Sequence, residues 1–229
     1  RFLQKNEDVK NSIAEYASDA QEGKVTTDST KSAQQVLANL QTESERLESD
    51  TDKIKSPDLQ NYKNSLNELN PKLKVYVTFE KESFELIRLY NEIIFTYFAS
   101  TDLLGAQKST FDISKDLDNY SIKLTKLSTE VSALITQDEI LSILKTNLLT
   151  LSNLVAGYTK DLSNLFLSYT KIKVENYINS FIPKITASEN ETNLALEAAQ
   201  AKEDTLNLEV QDLISNVTAE YERLSKDFK

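Results

Sequence analysis

The chain has 229 residues, 39% hydrophobic and 27% charged, with 36 acidic against 26 basic side chains and a formal net charge of −10. It holds no His, Cys, Met or Trp and only three glycines, so Ser-His-Asp and Cys-His triads, Cys/His zinc sites, Glu-x-x-His di-iron sites and glycine-rich phosphate loops are excluded within it. The acidic balance repels nucleic-acid phosphate and anionic lipid headgroups, so no nucleic-acid partner is expected.

Apolar residues then recur at steps of three and four along most of the chain, the signature of one buried stripe per helix. The first predicted helix runs from about Phe2 to Glu22, with Phe2, Val9, Ile13, Tyr16 and Ala20 on one stripe and Asn6 in the missing position. Gly23 ends it, as a residue free to take a left-handed conformation. A second begins near Thr27 or Asp28 and carries Ala33, Leu37, Leu40, Leu47 and Ile54, with Ser44 and Thr51 at two seam positions. Glu43, Glu45, Glu48, Asp50 and Asp52 read as its solvated acidic face.

Ser56-Pro57-Asp58 starts a third helix: a capping hydroxyl, a first-turn proline and an acid at the positive end of the dipole. Leu59, Tyr62, Leu66, Leu69, Leu73 and Tyr76 stay in phase across Pro71, which predicts a helix that passes through the proline with a kink. From Phe84 to Leu104 the pattern is apolar nearly all round, implying a segment surrounded by protein and closed by Gly105. Ile113, Leu117, Tyr120, Leu124, Leu127, Val131 and Leu134 define the fourth helix. Thr136 and Glu139 form a reciprocal capping pattern that opens a fifth. Its stripe of Leu144, Leu148, Leu151, Val155, Tyr158, Leu162, Leu165, Tyr169 and Ile172 predicts helix to about Ile182, with a kink or turn at Pro183. The last helix carries Leu194, Ala198, Leu206, Val210, Leu213, Val217, Tyr221, Leu224 and Phe228 after a polar opening, residues 186–193, that reads as a loop.

Three of these segments run to roughly 45 residues, about 70 Å at ~1.5 Å per residue. The expected fold is therefore all-α: an elongated antiparallel bundle of about six helices, three of them long, forming a single domain over residues 1–229. No apolar run reaches the ~18 residues of a membrane span. Thr146 to Thr159 comes nearest and reads as a buried bundle helix, so no membrane insertion is expected within the chain, though a flanking anchor is compatible with it.

No catalytic, cofactor or metal residues are assigned. Gly157, inside the best-patterned helix, implies close helix–helix approach opposite a bulky partner. Arg88 is the sharper candidate, one of only four arginines and set in the most apolar stretch. Glu85 and Glu92, at i−3 and i+4, offer it a local ion pair. In the competing reading Arg88, with Tyr90 and Tyr97, binds a small carboxylate in a pocket walled by aromatics, Phe95 and Phe98 among them. Three sequons, at Asn119, Asn190 and Asn216, are of the kind that arises by chance in a chain rich in Asn, Ser and Thr. The functional expectation is a non-enzymatic structural or interaction module: an extracytoplasmic spacer, scaffold or cell-surface binding protein that engages a protein partner or itself. The alternative is the ligand-sensing ectodomain of a membrane receptor.

Overall fold

The computed structural model describes residues 1–168 and 171–227. It is 91% helical, with no strand among the described residues, and its six helices pack on one another as an all-α bundle. They are α1 (Phe2–Gln21), α2 (Thr27–Asp52), α3 (Gln60–Asp102), α4 (Thr110–Ala133), α5 (Glu139–Ser168) and α6 (Lys171–Asp227). Single 3-10 turns at Pro57–Leu59 and Leu103–Gly105 flank α3. Packing divides the chain into two compact units, residues 1–84 with 200–229 and residues 85–199. α3 and α6 each contribute to both.

In the first unit α1, α2, the opening half of α3 and the end of α6 share a core of Phe2, Val9, Tyr16, Leu37, Leu40, Leu66, Leu69, Leu73, Tyr76 and Val210. Local chemistry sets the helix ends. Gly23 has φ 67°, where a Cβ would be strained. Thr26, one residue earlier than expected, caps α2 through a reciprocal box with Ser29: Ser29 N–H donates to Thr26 Oγ1 at 3.1 Å and Thr26 N–H to Ser29 Oγ at 2.9 Å. Asn6, the polar residue in the α1 stripe, is buried and pairs its amide reciprocally with Gln211 at 3.1 and 3.2 Å. The Tyr16 hydroxyl donates to the Phe84 carbonyl at 2.7 Å and meets Thr30 Oγ1 at 3.0 Å, so its burial leaves no orphan.

In the second unit the closing half of α3, α4, α5 and the first part of α6 pack together. The α5 stripe is its spine: Leu141, Leu144, Leu148, Leu151, Val155, Tyr158 and Leu162 are wholly buried, each leucine contributing roughly 1.5–3 kcal/mol of burial. Leu165 is half-buried. α4 meets α5 antiparallel along serines spaced seven apart. Ser114 Oγ donates to the Ser163 carbonyl (2.9 Å), Ser121 Oγ to the Ala156 carbonyl (3.0 Å) and Ser128 Oγ to Asn153 Oδ1 (2.6 Å). By length and mean hydropathy (1.3) α5 is apolar enough to cross a membrane, which the sequence reading had denied it. The buried stripe and the serine bonds to α4 are those of a core helix.

Several expectations change. α3 continues through Pro71, as the in-phase stripe implied, and by the same logic α6 continues through Pro183, where a kink or a turn was expected, and through residues 186–193, where a loop was expected. Val174, Tyr177, Phe181, Ile185, Ser188, Thr192, Ala195 and Ala199 keep one stripe across that proline. The long helices are thus α3 and α6, of 43 and 57 residues, whereas α5 has 30. The α6 seam uses small Ala195 and Ala199 in place of the expected Leu194 and Ala198, and Leu194 is 65% exposed. At the α5 N-terminus Asp138, and not Thr136, accepts from Ile140 N–H at 2.9 Å, while the Thr136 hydroxyl meets Ser142 Oγ. The segment 84–104 is not enclosed all round: Phe95 and Phe98 are 65% and 53% exposed. Tyr169, Phe228 and the side chain of Ile172, also assigned to stripes, lie outside the described residues.

Candidate functional site

Arg88 is buried, and α3 carries its partners one turn away on either side. Its Nη2 and Nε reach Glu85 Oε1 (2.6 and 3.2 Å) and its Nη1 reaches Glu92 Oε1 (2.7 Å). A third carboxylate, Glu130 on α4, lies 3.3 Å from Nη2. Burial disfavours the guanidinium charge, but the Glu85 and Glu92 hydrogen bonds outweigh it and hold Arg88 above its ordinary value. Four of the five N–H donors of the guanidinium fork are engaged by these three carboxylates.

The other two candidates turn elsewhere. The Tyr90 hydroxyl donates to Asn193 Oδ1 on α6 at 2.7 Å, and burial, with the charge of Glu189, raises its pKa. Tyr97 packs edge-on against Tyr158 of α5 with ring centroids 6.1 Å apart. Among the described contacts, Arg88 reaches α4 through Glu130, Tyr90 reaches α6 through Asn193 and Tyr97 reaches α5 through Tyr158, while Glu189 of α6 acts on both tyrosines. Phe95 and Phe98, offered as pocket walls, are exposed. Beside Tyr97, Tyr158 stacks on Tyr177 and Phe181 (5.9 and 5.3 Å). Burial pushes the Tyr158 hydroxyl up to about 12, and it finds no hydrogen-bond partner among the described residues.

Gly157 is exposed, and a Cβ built on it meets nothing within 4 Å. The close helix approach expected there is absent, and the glycine fits no structural requirement of its surroundings.

Two features of the first unit escaped sequence reading. One is Glu80, on the buried seam of α3 at 0% exposure, with neither carboxyl oxygen hydrogen-bonded among the described residues. Burial first, then the Glu203 carboxylate of α6, pushes Glu80 up to about 9, and the same burial raises Glu203. Tyr76, one turn before it, is raised by burial and by the same acids. The other is an apolar cleft. Phe2, Leu3, Leu47, Tyr62, Val217 and Tyr221 line a hollow of about 280 Å³. An adjoining hollow of about 370 Å³ shares Leu47, Tyr62 and Tyr221 and adds Ile54, Leu59 and Leu224. Leu3, Ile54 and Tyr221 are 47%, 54% and 59% exposed there. Arg1, Glu43 and Arg46 line the first hollow together with these apolar side chains. Glu43, read from sequence as a solvated acid, is buried, bonded to Arg46 at 2.7 Å and 3.5 Å from Arg1; the Arg46 hydrogen bond holds it below the usual carboxylate range. Arg46 also meets Asp50 at 2.9 Å. Groups of three or more acids arranged to hold a metal ion are absent among the described residues.

Comparison with protein-family models, curated proteins and solved structures finds no match for this chain.

Proposed function

We propose that this chain is a non-enzymatic interaction module, an extracytoplasmic or cell-surface scaffold that engages a protein partner through the apolar cleft of its first unit. The observation that supports this reading is the run of partly exposed apolar side chains, Leu3, Ile54 and Tyr221, around hollows floored by Leu47 and Tyr62. Apolar area left uncovered on a charged surface is what a partner's apolar face removes from water. The occupant that fits best is an amphipathic helix with basic flanks. Its apolar stripe would fill the cleft between helices, and its basic flanks would meet the −10 charge of the chain. The sensor alternative needs Arg88 free for an incoming carboxylate, and four of its five donors already meet Glu85, Glu92 and Glu130.

Panning a display library of helical peptides against the whole chain tests the proposal. Enriched peptides should carry an apolar stripe flanked by Lys or Arg, and their binding should fall at least tenfold in Tyr221→Asp and Ile54→Asp with helicity unchanged. Enrichment of unpatterned sequences, indifference to both substitutions, or no enrichment at all would overturn it.

A further inference from the structure

A protein ordinarily titrates near neutrality through histidine and cysteine, and this chain has neither. Exposed carboxylates are ionised and lysines charged across roughly pH 6–9, which leaves whatever groups the fold moves into that window. Glu80 is such a group by position alone. Its side chain is at 0% exposure on the α3 seam, so an ionised form there is not solvated; the Tyr76 hydroxyl beside it favours the charge, and burial with the Glu203 carboxylate outweighs that. Facing it are Tyr76 on its own helix and Glu203 and Asp204 on α6, acidic or neutral groups that add no compensating positive charge. Lys202, next along α6, lies over the Phe79 ring at 5.8 Å. The α2 side chain that reaches this level of α3 is the neutral Gln34, which donates to the Lys81 carbonyl at 2.9 Å.

We propose that Glu80 and Glu203 form a proton-binding pair that makes the first unit an acid-stabilised module. One proton shared by the two carboxyls leaves a single negative charge, carried by half-buried Glu203, with Glu80 neutral in the core. Removing that proton to solvent puts two anions side by side between α3 and α6 and weakens their packing. In the unfolded chain both carboxyls ionise near pH 4.3. Above that the folded state holds one proton more than the unfolded state, so its stability is fully present only below about pH 4.5 and falls as pH rises until the pair is ionised. The unfolding constant should grow by up to about tenfold per pH unit within that span.

Urea unfolding of the whole chain from about pH 5 to 9 tests this, on wild type and Glu80→Gln, whose amide mimics the protonated acid. Every group other than Glu80 is common to both proteins and cancels in the comparison. Wild type should lose stability steadily as pH rises, whereas Glu80→Gln should be nearly flat, match wild type near pH 5 and exceed it by at least tenfold in folding constant at pH 8. A flat wild-type profile, or one unchanged by the substitution, overturns the proposal. If Glu80→Gln does not fold, a ¹³C titration of the Glu80 side-chain carboxyl in wild type decides: a protonated shift at pH 7 supports the pair and an ionised one overturns it.

Discussion

Each unit buries one charge-bearing side chain deep on α3, and the two are handled in opposite ways. In the second unit Arg88 gathers Glu85, Glu92 and Glu130, all within 3.3 Å. In the first, burial and the facing acids weigh against the charge of Glu80 more than the Tyr76 hydroxyl favours it. The tyrosines reverse the pattern. Tyr16 of the first unit satisfies its hydroxyl twice, whereas Tyr158 of the second buries its hydroxyl unpartnered. A buried polar group is thus a stabilising or a costly feature according to its partners, and residue type and exposure alone do not decide which.

The largest expected effect concerns the spine of the second unit. Leu162→Ala should cost about 2–5 kcal/mol, because Leu162 is wholly buried and its loss leaves a cavity. A near-neutral result in denaturant unfolding would mean that the α5 stripe is not the core of that unit. Next, Arg88→Ala should cost about 2–3 kcal/mol. This is less than the ~3–5 kcal/mol of a fully buried pair, because the carboxylates it abandons stay partly hydrated at 27–38% exposure. If the loss is under about 0.5 kcal/mol, the contrast with Glu80 collapses. For Glu80→Gln the sign is opposite: a gain of about 1–3 kcal/mol at pH 8 that closes near pH 5, since a carboxyl with a raised folded pKa loses its contribution as pH rises.

Smaller effects sharpen the tyrosine half of the comparison. Tyr16→Phe should cost about 1–2 kcal/mol for two lost hydrogen bonds, while Tyr158→Phe, which removes an orphaned hydroxyl, should be neutral or slightly stabilising. Equal losses in thermal unfolding would show that the Tyr158 hydroxyl has a partner in solution. Last, Gly157→Ala should gain up to about 1 kcal/mol, since open space surrounds the new methyl and the helix loses a flexible residue. A loss there would reveal a backbone requirement at Gly157.

What could be read from sequence follows locality. The pairing of Arg88 with Glu85 and Glu92 is written at i−3 and i+4, and helical geometry brings such residues together wherever the helix lies. Glu130 lies 42 residues away and enters only through α3–α4 packing. Glu80 gave no signal, because one acid in an amphipathic pattern looks the same whether it faces water or a facing helix. The same ambiguity hid the serines at 114, 121 and 128, whose heptad spacing on α4 acquires meaning only opposite Ser163, Ala156 and Asn153.

By itself the sequence determined that this protein is helical, where most of its helices start and stop, and which stripe of most of them turns inward. Periodicity, capping residues and a left-handed glycine at Gly23 act within a few residues of chain and need no partner to be read. Tertiary structure alone decided that α6 runs through Pro183, that Ala195 and Ala199 and not Leu194 face inward, and that Leu47, Tyr62 and Tyr221 share one cleft. It also brought Glu80 opposite Glu203. The reason is physical: a stripe says which side is buried, but what it is buried against, and therefore whether a charge is paired or stranded, depends on residues that meet only when the helices pack.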